Sequence, residues 1–260
     1  MVESFKSIFS LEGNVSVVIG GGGHICSTLA KGLADFGSRV VVADIRIEKS
    51  KRVADEICAR DGCSAIPVEV DATKKDSLEN LLAFVLDEFG KVDCLINGGG
   101  INSPTPFLEI EPGEWNSVVD SQLTATFFGC QVFGRAMVAR GSGSIINISS
   151  ASADPALSKA FPYSAAKAAI RNLTQNLGRE WAQKGVRVNA LRPGFFPTEW
   201  NKKNFITPER EKAILNHTPM KRYGATRELV GACVFLASNA SSFVTGSELF
   251  VDGGFSAMTI

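Results

Sequence analysis

The chain has 260 residues, 45% of them hydrophobic, and its 27 acidic and 27 basic side chains give a formal net charge of zero. That length can bury a large core, and the balanced charge lacks the basic footprint of a nucleic-acid-binding protein. No stretch approaches the roughly 20 apolar residues that cross a bilayer, so we expect neither a nucleic-acid nor a membrane partner.

Short apolar strands alternate with helical patterns along the chain. In the first half, the predicted elements are strand 15–19, helix 27–36, strand 39–43, helix 47–60, strand 64–70, helix 75–89 and strand 92–97. In the second half they are helix 115–140, strand 143–149, helix 161–184, strand 186–191, helix 226–237 and strand 248–251, with residues 195–223 breaking the pattern. The alternation predicts a single α/β domain over residues 1–260, a doubly wound parallel sheet of about seven strands with helices on both faces.

The cysteines and histidines do not suggest a metal site. Six cysteines, at positions 26, 58, 63, 94, 130 and 233, form no CxxC pair, and the histidines are His24 and His217 alone. Residues 1–13 lack the apolar core of a secretory signal. We therefore expect reduced thiols, no bound metal and a cytoplasmic location.

A glycine-rich turn, Gly20 to Gly23, joins the first strand to the first helix. Glycine permits a tight turn and a close approach of backbone to phosphate, and the helix N-terminus offers N–H groups and partial positive charge. The turn predicts a dinucleotide site. An ordinary glycine-rich turn is the alternative, because Gly21, Gly23 and Cys26 match only two of the three glycines of G-x-G-x-x-G.

Asp44 follows the second strand, 24 residues after Gly20. A carboxylate at this place accepts hydrogen bonds from the ribose hydroxyls of NAD and repels the 2′-phosphate of NADP. The sequence therefore favours NAD as cofactor. Arg46, two residues later, argues for the NADP alternative.

Tyr163 and Lys167 are four residues apart, which places both on one face of a helix. Ser150 precedes Tyr163 by 13 residues, at the end of a predicted strand. Together with the glycine turn and Asp44, these residues resemble the short-chain dehydrogenase/reductase family over Leu11 to Gly254. The other landmarks of the resemblance are Asp71, Asn97-Gly-Gly-Gly, Pro193-Gly194, Thr198 and Val251-Asp-Gly-Gly.

The resemblance implies a Rossmann fold and NAD-dependent interconversion of a secondary alcohol and a ketone. Tyr163 would exchange a proton with the substrate oxygen, and Ser150 would hydrogen-bond that oxygen. Lys167, together with the oxidised nicotinamide, would lower the tyrosine pKa from its usual value of about 10. The cofactor-binding residues it implies are Gly20, Gly22, Gly23, His24, Ile25, Asp44, Asp71, Ala72, Asn97, Gly98, Gly99, Tyr163, Lys167, Pro193, Gly194, Phe196 and Thr198.

Three departures from the family pattern stand out. The family usually has glycines at the positions of His24 and Cys26, and Cys26 is expected to crowd the helix–strand contact slightly. Its Asn-Asn-Ala-Gly is here Asn97 followed by three glycines. The asparagine that holds a water in its proton relay is replaced by Gln122, which we predict to be catalytic.

The segment at about 195–223 is predicted to be a substrate lid. Its lysines and amides suit a sugar acid or polyol, and the chain resembles family members of the mannonate or gluconate dehydrogenase kind. The predicted substrate-contacting residues are Asn102, Ser150, Ser152, Tyr163 and Trp200. The alternatives are a reductase of a less polar ketone or ketoacyl group, and a nucleotide-binding pseudoenzyme. The resemblance also implies a homotetramer.

Overall fold

A computed structural model describes residues 5–154, 157–198, 201–203 and 206–259. Seven strands form one sheet in the order β3-β2-β1-β4-β5-β6-β7, and every neighbouring pair is parallel. The strands are β1 (Val15–Ile19), β2 (Arg39–Asp44), β3 (Ser64–Glu69), β4 (Cys94–Asn97), β5 (Gly143–Ile148), β6 (Val186–Pro193) and β7 (Glu248–Val251). The predicted doubly wound α/β sheet is confirmed.

Helices cover both faces of the sheet. They are α1 (His24–Asp35), α2 (Ile47–Cys58), α3 (Lys75–Phe89), α4 (Pro112–Val119), α5 (Ala125–Arg140), α6 (Phe161–Trp181), α7 (Pro208–His217) and α8 (Val230–Ala237). Among the described parts of the chain, no helix has both the length and the apolar content needed to cross a membrane.

Alternate residues of the strands face two separate cores. Val42 and Leu191 pack with Leu29 and Leu33 on the α1 side, whereas the neighbouring Val41 belongs to the opposite core. Burial on both faces explains why the strands read as continuous apolar runs rather than as alternating ones. The strand order reverses between β1 and β4, the crevice where doubly wound sheets bind ligands.

Several predicted boundaries were wrong. The first helix begins at His24 rather than Ser27, because the extended Gly23 serves directly as its N-cap. The predicted helix 115–140 begins at Pro112, since proline fits the first turn of a helix, and a π-helical turn over Asp120–Thr124 divides it. The segment 195–223, which broke the alternation, contains helix α7.

Candidate active site

The turn after β1 is packed too closely for side chains. Gly20 has φ +71°, and a Cβ there would lie 2.7 Å from the Gly98 carbonyl oxygen and from the Gly99 nitrogen. The turn leads into α1, whose N-cap Gly23 has no side chain to cap the first N–H groups. His24, the first residue of the helix, is exposed. The free N–H groups and the helix dipole suit the pyrophosphate of a dinucleotide.

Asp44 is tied to this turn. Its Oδ2 accepts a hydrogen bond from the Gly22 N–H at 3.1 Å, and its Oδ1 accepts one from the Arg46 N–H at 3.0 Å. The Asp44 carboxylate is buried, whereas the Arg46 side chain is 65% exposed with Nε 4.0 Å from Oδ1. The turn therefore has a fixed negative charge at the end of β2 and a loosely held positive charge beside it.

Cys26 is accommodated by a glycine on the neighbouring strand end. A Cβ on Gly98 would lie 2.3 Å from the Cys26 sulfur, so the thiol occupies the space that a side chain at position 98 would need. Burial raises the pKa of Cys26 to about 12. The crowding expected from Cys26 is therefore found at position 98. Cys26 and Gly98 both depart from the family pattern, and the missing side chain of the second makes room for the thiol of the first.

Asn97 and Asp71, both predicted near the cofactor, are held by the protein itself. The Asn97 Nδ2 donates to the Asn147 Oδ1 at 2.9 Å, which links the ends of β4 and β5. The Asp71 Oδ1 accepts hydrogen bonds from the N–H and hydroxyl of Thr73, and these bonds lower the pKa of Asp71. Both side chains therefore shape the loops that follow their strands, and Ala72 lies in the turn after Asp71.

Ser150, Tyr163 and Lys167 meet beyond the end of β5. Ser150 begins the 3₁₀ turn Ala151–Ala153, and its hydroxyl oxygen accepts hydrogen bonds from the Ser152 N–H at 3.2 Å and the Ser152 hydroxyl at 3.0 Å. On α6, the Lys167 Nζ lies 5.4 Å from the centre of the Tyr163 ring. The ammonium donates to the Ile148 carbonyl oxygen at 2.6 Å, which fixes α6 against β5.

Burial sets the protonation of these groups. It lowers the pKa of Lys167 from 10.5 to about 8. It also raises the pKa of Tyr163, while a hydrogen bond with Ser150 acts in the opposite direction. The expected lowering of the tyrosine pKa does not arise from the protein alone, because burial outweighs the hydrogen bond with Ser150. The site holds a phenol hydroxyl, a serine hydroxyl and a buried lysine within one cluster.

Gln122 is buried in the π-helical turn, against the loop that follows β4. Its Nε2 donates to the Ile101 carbonyl oxygen at 2.9 Å. Gly100, at φ +108°, allows this contact, because a Cβ there would lie 2.5 Å from that nitrogen. The amide of Gln122 therefore holds the loop that leads to Asn102.

The predicted substrate residues lie in different surroundings. Asn102 is exposed, and its Oδ1 accepts a hydrogen bond from the Ser103 N–H at 2.8 Å. Ser152 is buried and donates two hydrogen bonds to the Ser150 hydroxyl oxygen. Thr198 bonds to Asn201 through its hydroxyl, and Trp200 lies outside the described residues.

The predicted cofactor residues after β6 are tightly packed. The Gly194 N–H donates to the Val251 carbonyl oxygen at 3.0 Å, which pairs the ends of β6 and β7. A Cβ on Gly194 would lie 2.7 Å from the Asp252 Cα. The ring of Phe196 fills the space beside Gly224, where a Cβ would lie 2.2 Å from it.

Sequence reasoning missed a buried ion cluster next to the site. Arg192 is fully buried on β6, directly before Pro193, and contacts Asp154 and Glu248. The available signal was the charged residue Arg192 directly after the apolar residues Ala190 and Leu191 of a predicted strand. Its partners were not visible, because they come from distant parts of the chain.

Comparison with known proteins places the chain among oxidoreductases. The profile of the family described as enoyl-(acyl carrier protein) reductase matches residues 23–256. Gluconate 5-dehydrogenase of Gluconobacter oxydans (strain 621H) is 37% identical over 251 residues, covering 96% of this chain and 98% of that protein.

Solved structures agree with this placement. A gluconate 5-dehydrogenase from Burkholderia cenocepacia J2315 in complex with NADP and tartrate superposes with a TM-score of 0.92 at 35% identity, covering 97% of this chain and 98% of that one. A 7α-hydroxysteroid dehydrogenase complexed with NADH and 7-oxo glycochenodeoxycholic acid superposes with a TM-score of 0.91 at 32% identity, again covering 97% and 98%.

Proposed function

The chain belongs to the short-chain dehydrogenase/reductase family, and from this premise we propose that it is an NAD-dependent dehydrogenase of a sugar acid. It is an NAD(P)-dependent oxidoreductase that acts on CH–OH groups and interconverts a secondary alcohol and a ketone. The observation that carries the proposal is the meeting of Ser150, Tyr163 and Lys167 at the carboxyl end of the sheet.

Tyr163 exchanges the proton of the reaction. Its hydroxyl gives a proton to the oxygen of the ketone during reduction and takes it back during oxidation, while Ser150 hydrogen-bonds the same oxygen. The Lys167 ammonium favours the phenolate form through its positive charge. When bound, the nicotinamide supplies or accepts the hydride.

The residues around the glycine turn fit this cofactor. The uncapped N–H groups at the start of α1, with His24 and Ile25, would hold the pyrophosphate, and Asp44 would hold the adenine ribose. The backbone of Gly98 and Gly99 would line the opposite side of the crevice. Pro193, Gly194, Phe196 and Thr198 would hold the nicotinamide end.

Asp44 is the reason for proposing NAD rather than NADP. The carboxylate is held in place by two N–H groups and is nearly buried, so its charge cannot turn away from a 2′-phosphate. Arg46 is too exposed to neutralise that charge fully. Asp44→Asn should therefore improve the Kd for NADPH relative to NADH by about tenfold. Binding can be followed by nucleotide fluorescence, and an unchanged ratio of the two Kd values contradicts this role.

The proposed substrate is a sugar acid. Gluconate 5-dehydrogenase of Gluconobacter oxydans and 5-keto-D-gluconate 5-reductase of Escherichia coli cover nearly the whole chain at 37% and 34% identity. Exposed Asn102 lies after β4, and Lys202 and Lys203 follow Thr198 in the segment predicted to be the lid. Amides and ammonium groups suit hydroxyls and a carboxylate.

The test is absorbance at 340 nm with NAD or NADP across sugar acids, polyols and simple secondary alcohols. We expect turnover with NAD on a polyhydroxylated acid, and at least about a hundredfold less from the Tyr163→Phe variant in a parallel assay. Turnover confined to polyols would contradict the substrate part of the proposal. Turnover confined to NADP would contradict the cofactor part.

A second candidate function is the oxidation or reduction of a less polar substrate. The observation in its favour is the superposition on the 7α-hydroxysteroid dehydrogenase. A bile-acid or steroid alcohol in the same panel separates the two candidates by their kcat/KM.

The homotetramer and the cytoplasmic location stay predictions. Light scattering after size-exclusion chromatography tests the first, and fractionation of cells that express the chain tests the second.

A further inference from the structure

Beside the active site lies a cluster of four charged side chains. The Nη1 of Arg192 donates to the Asp154 Oδ2 at 2.5 Å and to the Glu248 Oε2 at 3.0 Å, and the guanidinium lies 4.6 Å from the centre of the Phe250 ring. Arg192 has no solvent exposure. A buried cation is retained only where anions compensate for its lost hydration, so Asp154 and Glu248 are required partners.

The cluster also includes a side chain from α6, the helix that carries Tyr163 and Lys167. Arg171 is on α6, one turn beyond Lys167 and two turns beyond Tyr163. Its Nη1 donates to the Asp154 Oδ1, and its Nε lies 3.3 Å from the Glu248 Oε2. Asp154 therefore binds two arginines, Arg171 through its Oδ1 and Arg192 through its Oδ2.

Asp154 ends the same short turn that Ser150 begins. The 3₁₀ turn Ala151–Ala153 has Ser150 as its N-cap and Asp154 as its C-cap, and the Ala153 N–H donates to the Ser150 carbonyl oxygen at 3.0 Å. Three residues separate the two caps, so a movement of Asp154 changes the position of Ser150. The two arginines thus hold this turn to α6 on one side and to β6 on the other.

We propose that Asp154 is a positioning residue, which, by bridging Arg171 and Arg192, holds the Ser150 hydroxyl in place to hydrogen-bond with Tyr163. The inference rests on the proposed function only in taking Tyr163 as the group that exchanges the proton. Its consequence is that loosening the bridge weakens the bond from Ser150. Because that bond favours the phenolate, the pKa of Tyr163 then rises.

The sign of the effect separates positioning from a direct electrostatic influence. Asp154→Asn removes a negative charge, which by itself stabilises the phenolate, whereas Arg171→Gln removes a positive charge and destabilises it. Positioning predicts the same direction for both variants, namely less phenolate. Lys167, whose Nζ lies 5.4 Å from the Tyr163 ring, and Cys26, which interacts electrostatically with Lys167, are unchanged in both.

The chain permits a direct measurement, because it contains two tyrosines, Tyr163 and Tyr223. In a Tyr223→Phe background, the ¹³Cζ signal of labelled tyrosine reports the ionisation of Tyr163 alone. Titrations from pH 7 to pH 11, with and without NAD⁺, need no substrate, and circular dichroism on the same samples verifies the fold. The result is therefore independent of whether the sugar-acid proposal succeeds.

We expect the phenolate fraction at a fixed pH below the midpoint to fall about three- to tenfold in both Asp154→Asn and Arg171→Gln. Asp35→Asn is the matched control, since the Asp35–Arg60 pair has nearly the same exposure as Asp154–Arg171 but lies near α2. It should leave the fraction unchanged.

Asp154→Glu covers the case in which the neutral variant does not fold. Asp154→Glu keeps the negative charge that compensates Arg192, so a direct electrostatic influence predicts an unchanged phenolate fraction of Tyr163. Positioning predicts a lower phenolate fraction, because the longer side chain displaces the turn. Opposite directions in Asp154→Asn and Arg171→Gln overturn the proposal. So does an unchanged fraction in Asp154→Glu, or an equal fall in the Asp35→Asn control.

Discussion

Replacing Lys167 by methionine should stabilise the protein while removing its activity. Lys167 is 4% exposed, and the hydrogen bond that the structure gives its ammonium is the one to the Ile148 carbonyl oxygen. The lowering of its pKa from 10.5 to about 8 corresponds to a cost of about 3 kcal/mol for burying the charge at pH 7. Loss of the hydrogen bond to Ile148 offsets about 1 kcal/mol of the gain. We expect a net stabilisation of about 2 kcal/mol.

The dependence on pH follows from the same pKa values. Between pH 8 and pH 10.5 the unfolded state holds a proton on this lysine that the folded state has lost, so the stability of the wild type rises relative to Lys167→Met as pH rises. At pH 10 the cost of the lysine should be about 1 kcal/mol. The advantage of the variant should therefore disappear.

Urea unfolding of both proteins at pH 7 and pH 10, at one protein concentration, measures this difference. Lys184→Met is the control, because Lys184 is exposed beyond α6 and its replacement should change little at either pH. A variant that is less stable than the wild type at pH 7, or an advantage that does not depend on pH, would refute the reasoning.

Three further variants test the site. Tyr163→Phe should lower kcat by at least about a hundredfold with an unchanged Kd for NADH, and retained turnover would exclude Tyr163 as the proton donor. Gly98→Ala should destabilise the protein by about 2 kcal/mol, because its Cβ would meet the Cys26 sulfur, and adding Cys26→Gly should recover most of the loss in urea unfolding. A double variant whose loss of stability equals the sum of the losses in Gly98→Ala and Cys26→Gly would show that the two positions are independent. Gln122→Ala should raise KM about tenfold with an unchanged pH profile of kcat, because its amide holds the Ile101 loop. A shifted profile would instead support its predicted role in proton relay.

The positions of the strands and the pair on α6 were predictable for local reasons. Apolar runs, glycine turns and a four-residue spacing are patterns that lie within short stretches of sequence. Pairing with parallel neighbours then keeps the direction of each strand. The boundaries of α4 and α5 were not predictable to the same degree. Asp120–Thr124 contains no glycine or proline that would mark a break in the helix, although the backbone widens there into a π-helical turn around Gln122.

The sequence by itself determined the fold class, the glycine-rich turn after β1 and the grouping of Ser150, Tyr163 and Lys167, since each depends on patterns along one or two adjacent elements. The tertiary structure alone decided which distant residues meet. The Cys26–Gly98 contact, and the bridge from Asp154 to Arg192, join segments that are separated by 72 and 38 residues along the chain. Burial likewise decided the pKa of Tyr163 in the protein alone, because desolvation depends on everything packed around the phenol and not on its neighbours in sequence.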